Sequence, residues 1–77
     1  MKLENLLANL NNPQPSVRID VARVLSMVEE TRALKAVGDR YKVETDATVR
    51  DVLAWAGKRL YAAQQDGYST LDEAFLA

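Results

Sequence analysis

The side chains that this sequence lacks limit the reactions it could catalyse and the metals it could bind. Its 77 residues include no histidine and no cysteine. The commonest general base, a strong nucleophile and the two commonest transition-metal ligands are therefore missing. The densest carboxylate group, Asp66 with Asp72 and Glu73, has no partner base, phosphate loop or calcium-loop spacing. We interpret it as charge at a helix N-terminus, and we predict no catalytic residue, no metal site and no cofactor.

Aromatic side chains are the first candidates for contact with another macromolecule. Trp55 and Tyr61 lie off the main apolar stripe of their segment. An exposed tryptophan beside a tyrosine is typical of a binding hot spot. The alternative is that Trp55 packs against the C-terminal residues, for example Phe75, and both interpretations stay open.

Basic side chains are the second candidates. Arg32 and Lys35 share a segment with Arg40 and Lys42. Acidic neighbours such as Glu44 offset their charge, so a solvated face of mixed charge is favoured over a basic stripe. The predicted partner-binding residues are Trp55, Tyr61, Arg32 and Lys35.

The composition indicates one small globular domain spanning residues 1–77. It is 48% hydrophobic and 27% charged, with a formal net charge of −1, so strong attraction to nucleic acid or anionic lipid is not expected. No apolar run approaches the roughly 20 residues that cross a bilayer, and Met1 is followed by Lys-Leu-Glu-Asn rather than an apolar stretch. We expect a cytoplasmic protein that does not bind membranes.

Five helices are predicted, because apolar residues recur every three or four positions. In the second segment, Val17, Val21, Val24 and Val28 form one stripe. Its valines would also suit a strand, but its polar residues do not alternate with period two. Gly38 is interpreted as a close helix contact rather than a break. Short loops join the predicted helices, which favours antiparallel packing of neighbours. The predicted helices are Lys2–Leu10, Pro15–Glu29, Glu30–Val43, Ala47–Gln65 and Leu71–Leu76.

The sequence also repeats itself at an offset of 32 residues. Both copies begin a helix after a turn, and a segment able to pack back as a second helix follows each. The aligned positions are Ser16-Val17-Arg18 with Thr48-Val49-Arg50, Val21-Ala22 with Leu53-Ala54, Val24 with Ala56, and Val28 with Leu60.

At these residues the chain resembles a HEAT repeat, particularly the short HEAT-like class found in phycobilisome lyase subunits. The first copy has that family's Val-Arg pair, its two small residues and, in Val24-Leu25-Ser26, its small-Leu-Gly step. The second copy departs at Gly57, where leucine is usual. The resemblance covers roughly Leu3 to Leu60. It implies an all-α fold of antiparallel helix pairs, a short α-solenoid of about two repeats, with the third segment on the concave surface.

The resemblance also assigns a structural role to the repeated arginines Arg18 and Arg50. In such stacks this arginine donates hydrogen bonds to an acidic or carbonyl group in the adjacent turn. Asp20 near Arg18, and Asp46 and Asp51 near Arg50, are the partners that the sequence offers.

The repeat and the missing catalytic groups together predict a module that binds or scaffolds another protein and is not an enzyme. Two alternatives come from the resemblance: an accessory subunit of an enzyme such as a bilin lyase, and a nucleic-acid-binding HEAT-like domain, which the charge disfavours. About three repeats are usually needed for stability. We therefore expect a piece of a longer array, a short array capped by its terminal helices, or a self-associating unit, and the apolar ending Ala74-Phe75-Leu76-Ala77 favours the first or the third.

Overall fold

The computed structural model describes residues 2–65 of the chain, and all regular structure within them is helical. The prediction of an all-α fold is confirmed for these residues, and the second segment is a helix rather than a strand. The fifth predicted helix, Leu71–Leu76, lies outside the described residues. The elements are α1 (Leu3–Asn9), α2 (Pro15–Met27), a 3₁₀ turn (Thr31–Ala33), α3 (Leu34–Val43) and α4 (Ala47–Gln65).

Local signals set where α2 begins and ends. Pro15 occupies its first turn, where the missing N–H costs nothing. At the other end Glu29 adopts a left-handed φ of 52°, and the amide of Glu30 donates to the carbonyl of Leu25 at 2.9 Å. This is the hydrogen bond of a Schellman ending, with glutamate where glycine is usual. It stops α2 two residues before the predicted end.

The two copies of the repeat share the same local hydrogen bonds at the turn before each long helix. Asn12 accepts on Oδ1 from the amide of Gln14 at 2.9 Å, and its carbonyl accepts from Arg18 at 2.6 Å. Thirty-two residues later, Glu44 Oε2 accepts from the amide of Asp46 at 3.1 Å. The Glu44 carbonyl accepts from the equivalent arginine, residue 50, at 3.4 Å. The two turns therefore share two hydrogen bonds between side chain and backbone at equivalent positions.

One apolar core joins the helices. α4 packs against α2 and α3, and α1 packs against α2. Arg18 in the first turns of α2 bonds Glu44, just before α4, at 2.7 Å, and Arg59 in α4 donates to the carbonyl of Ser26 near the end of α2 at 3.0 Å. α2 and α4 therefore run in the same direction. The buried core cluster consists of Leu10, Val21, Ala22, Leu25, Ala33, Val37, Val49, Leu53, Ala56 and Leu60.

The two long helices bury different faces despite their repeated sequence. Leu60 is fully buried, whereas its equivalent Val28 is 67% exposed. Ala56 is buried and its equivalent Val24 is 43% exposed. The predicted apolar stripe of α2 is therefore wrong at Val24 and Val28. α2 lies beside α4 and its inward face is rotated toward Leu25, while α4 must cover both α2 and α3.

This difference predicts unequal costs for equivalent truncations. Leu60→Ala should lower the free energy of unfolding by about 2–5 kcal/mol, since it leaves a cavity in the core. Val28→Ala should change it by less than about 0.5 kcal/mol, as for most surface substitutions. Urea titration followed by circular dichroism measures both. Equal losses from the two variants would contradict the assignment of the buried faces.

Candidate partner-binding groove

A shallow apolar groove of about 310 Å³ lies between α3 and α4. Leu34 and Tyr41 mark its length along α3, since seven residues of helix span about 10 Å. Leu53 and Ala54 form part of the opposite wall on α4. We call this the α3–α4 groove; its lining residues are Leu34, Val37, Gly38, Tyr41, Leu53, Ala54, Gly57 and Lys58.

Two glycines keep the groove open. A Cβ atom built on Gly38 would have no heavy atom within 4 Å, and one on Gly57 would lie 3.9 Å from Cγ1 of Val37. Neither glycine is therefore required by a close helix contact, and that interpretation of Gly38 is wrong. Glycine costs up to about 1 kcal/mol relative to alanine inside a helix. Because these two positions carry no side chain, they leave space on the groove floor.

The repeat shows that the face of α4 lining the groove is a covered face in α2. Leu25 and Ser26 of α2 are fully buried. Their equivalents 32 residues later, Gly57 and Lys58, line the groove. Within residues 2–65, the packing that covers α2 thus has no counterpart over α4. The groove lies where a further helix would pack if the repeat continued.

Tyr41 lines one end of the groove, and its ring is in contact with the Arg50 guanidinium. The Arg50 guanidinium carbon lies 4.5 Å from the centre of the Tyr41 ring, a cation–π contact. Arg50 also donates to the carbonyl of Glu44 at 3.4 Å. The end of α3 and the start of α4 are therefore held together at this point.

Glu44 lies in the loop between α3 and α4 and is the buried carboxylate of the structure. Its side chain is 0% exposed. Arg18 donates two hydrogen bonds to it, from Nε to Oε1 at 2.7 Å and from Nη2 to Oε2 at 2.9 Å. Arg40 donates to Oε1 at 3.2 Å, and the amides of Thr45 and Asp46 donate to Oε2 at 3.1 Å each. We call these residues the Glu44 cluster.

The ionised form of Glu44 is strongly favoured. Burial raises the pKa of this carboxyl, but the hydrogen bonds from Arg18, the Asp46 amide and Arg40 outweigh burial. The pKa falls from 4.5 to about 2. Among the described residues, no buried side-chain nitrogen or oxygen lacks a hydrogen-bond partner, so the carboxylate is paired rather than reactive.

The Glu44 cluster corrects two expectations from the sequence. Arg18 pairs with Glu44, 26 residues away, and not with Asp20. The Arg50 side chain reaches the Glu44 carbonyl and the Tyr41 ring, and its guanidinium makes no hydrogen bond to the carboxylate of Asp46 or Asp51. Arg40 and Glu44 were expected on a solvated face; this is wrong, because both are drawn into the cluster.

The four predicted partner-binding residues do not form one site. Trp55 is 47% exposed and lies in a second depression of about 310 Å³, lined by Arg23, Asp51, Val52 and Trp55 itself. Tyr61 is 55% exposed and follows Gly57 by one turn, on the groove side of α4. Trp55 and Tyr61 therefore project from different sides of the helix.

The two predicted basic residues lie at different places as well. Lys35 directly follows the groove residue Leu34 and pairs with Asp39 at 2.8 Å on the exposed surface. Arg32 folds back onto Glu30 at 2.7 Å in the 3₁₀ turn. Hydrogen bonding between them lowers the pKa of Glu30 and raises that of Arg32. Of the four predicted residues, Tyr61 and Lys35 are thus the ones beside the groove.

Two further structural findings concern sites of other kinds. The described residues contain no cluster of three or more side chains arranged to hold a metal ion. They also contain no helix with the length and apolar character needed to cross a membrane.

Comparisons with protein-family models, curated proteins and solved structures found no match to this chain. The resemblance to HEAT-like repeats therefore rests on the residues of the chain alone.

Removing the charge of Glu44 should destabilise the fold. Glu44→Gln leaves Arg18 buried without a counter-charge, and we expect a loss of about 3 kcal/mol in the free energy of unfolding. Asp39→Asn removes the exposed ion pair with Lys35 and should cost much less, because solvent and salt screen such a pair. Urea titration at neutral pH compares the two variants, and similar losses would contradict a structural role for the cluster.

The lowered pKa of Glu44 also predicts acid sensitivity. A carboxyl whose folded pKa is depressed stabilises the fold fully above its unfolded pKa, and that contribution is lost as pH falls from about 4.5 to about 2. The loss is at most about 3 kcal/mol, at roughly 1.4 kcal/mol per pKa unit. Unfolding free energy measured across this range should fall more steeply for the unaltered chain than for Glu44→Gln. Parallel curves would show that other carboxyls dominate.

Proposed function

We propose that the chain is a protein-binding module of HEAT-like helical repeats, without catalysis of its own, and that the α3–α4 groove receives a helix of another protein. The observation that carries the proposal is the open face of α4. Leu25 is buried in the first copy, while its equivalent Gly57 forms the floor of a groove.

The groove has the character of a helix-docking surface. Its walls are two helices, its floor is apolar, and its glycines allow close approach of another backbone. Helix-in-groove binding places apolar side chains spaced by one or two turns into such a surface. Leu34 and Tyr41, two turns apart on α3, fit that spacing. The repeat supports the same interpretation, because helices cover the equivalent face of α2.

Filling the groove should abolish binding without harming the fold. Gly38→Leu and Gly57→Leu place a side chain in the groove, and the space around both Cβ positions permits it. Each variant should retain or raise the free energy of unfolding, by up to about 1 kcal/mol, because leucine favours the helix more than glycine does. Ala8→Leu is the matched control, since residue 8 is exposed and lies in α1, which does not line the groove.

A display library of helical peptides tests the proposal and does not require the partner to be identified first. Selection on the full chain should enrich peptides with apolar residues at i, i+3, i+4 and i+7. These peptides should lose binding to Gly38→Leu and Gly57→Leu and keep binding to Ala8→Leu. Enrichment of peptides that bind all three variants equally, or no enrichment, would contradict the α3–α4 groove as the binding surface.

A further inference from the structure

We propose that the helix bound in the α3–α4 groove is acidic, and that Arg50 receives one of its carboxylates. The inference rests on the proposed function and specifies the chemistry of the partner. The first evidence comes from the two repeated arginines. Each donates an equivalent hydrogen bond to a backbone carbonyl, but within the described residues Arg18 also binds a carboxylate and Arg50 does not.

Arg18 and Arg50 are equivalent in sequence and in one hydrogen bond. Each donates to the carbonyl of the residue six positions earlier, Asn12 for Arg18 and Glu44 for Arg50. Arg18 also binds a carboxylate in a two-pronged contact, and that carboxylate belongs to Glu44, the first residue of the next copy's turn. An arginine in this setting is therefore a receptor for a carboxylate from the following unit.

The position equivalent to that of Glu44 carries no acidic residue for Arg50. The residue equivalent to Glu44, 32 positions on, is Leu76. The guanidinium of Arg50 instead lies over the Tyr41 ring at the end of the groove. A helix entering the groove would pass beside this ring, so an acidic residue on that helix can repeat the contact that Glu44 makes with Arg18.

The other charges around the groove favour the same ligand. Lys58 is the charged residue among those that line it, and no carboxylate of the described residues does so. Lys35 and Lys42 each follow a groove residue of α3 and lie along one edge of that helix. Asp39, between them, pairs with Lys35. Basic side chains thus flank an apolar floor, which fits an amphipathic helix with glutamate or aspartate beside its apolar stripe.

The helix is assigned to a different protein rather than to this chain. Ala33 and Val37 bury the inward face of the third segment. Their equivalents 32 residues on are Gln65 and Ser69, so a continued repeat would lack the apolar pair. Two copies of the chain pairing groove to groove would oppose basic rims, which is unfavourable.

A cycle of peptide and protein substitutions tests the contact. The probe is a fluorescein-labelled, helix-stabilised peptide of about 14 residues, with leucines at i, i+3, i+4 and i+7 and glutamates on both flanks. In the second peptide glutamine replaces every glutamate. Fluorescence anisotropy measures the affinity of each peptide for the full chain, for Arg50→Gln and for Arg23→Gln, which changes a basic residue of the Trp55 depression instead.

We expect a loss of affinity in one combination, that of the glutamate peptide with Arg50→Gln. Arg50→Gln should weaken binding of the glutamate peptide about tenfold, as loss of a charge-assisted pair does, and should barely change the glutamine peptide. Arg23→Gln should leave both affinities unchanged. Because each comparison is made on the same protein, a general loss of folding would affect both peptides equally, and urea titration of Arg50→Gln checks this independently.

Several outcomes would overturn the inference. If both peptides bind equally and lose binding to Gly57→Leu, the groove functions as proposed but is not selective for acid. If a 15-nucleotide single strand binds more tightly than the glutamate peptide and depends on Arg50, the ligand is nucleic acid. If Phe75→Glu strengthens peptide binding tenfold, the chain's own C-terminal residues compete for the groove. If Gly57→Leu abolishes a dimer, the occupant is a second copy.

Discussion

The buried pairing of Arg18 with Glu44 is the interaction on which the arrangement of the long helices depends. Glu44 lies between α3 and α4, and Arg18 lies in the first turns of α2, so one carboxylate connects three helices. Removing Glu44 would leave the Arg18 guanidinium buried without a counter-charge, which is costly. Arg40 and two backbone amides complete the coordination. The ends of α3 and α4 are thereby fixed, and with them one end of the groove.

The helices themselves were predictable because apolar spacing and Pro15 are local signals. Asp46 is another, since its Oδ1 accepts a hydrogen bond from the Val49 amide at 3.0 Å at the start of α4. The partner of Arg18 was not, because 26 residues separate it from Glu44 and the nearer Asp20 was an equally reasonable acid. The repeat contained a usable signal: Glu44 aligns with Asn12, whose carbonyl and side chain make the same turn contacts. Exposure of Val28 was not predictable either, since it follows from how α2 is rotated against α4.

In the sequence, the one sign of the groove was a poorer match of the second copy to the repeat pattern. Gly57 departs from the leucine expected at its position, and this reduced the match of the second copy. In the structure the same glycine leaves an apolar floor open beside Lys58. Trp55, the residue that the sequence marked most strongly for binding, lies in a separate depression on another side of α4. A position that breaks a structural pattern was thus more informative about the groove than an exposed aromatic residue.

The most direct test of this account is to locate a bound helix on the chain by NMR. With ¹⁵N-labelled protein and the unlabelled glutamate peptide, the amide resonances of Gly38 and Gly57 should shift on titration, together with the side-chain Nε–H of Arg50. The indole N–H of Trp55 should remain unchanged. Shifts confined to Trp55 and its neighbours, with Gly38 and Gly57 unaffected, would contradict the assignment of the α3–α4 groove as the partner-binding surface.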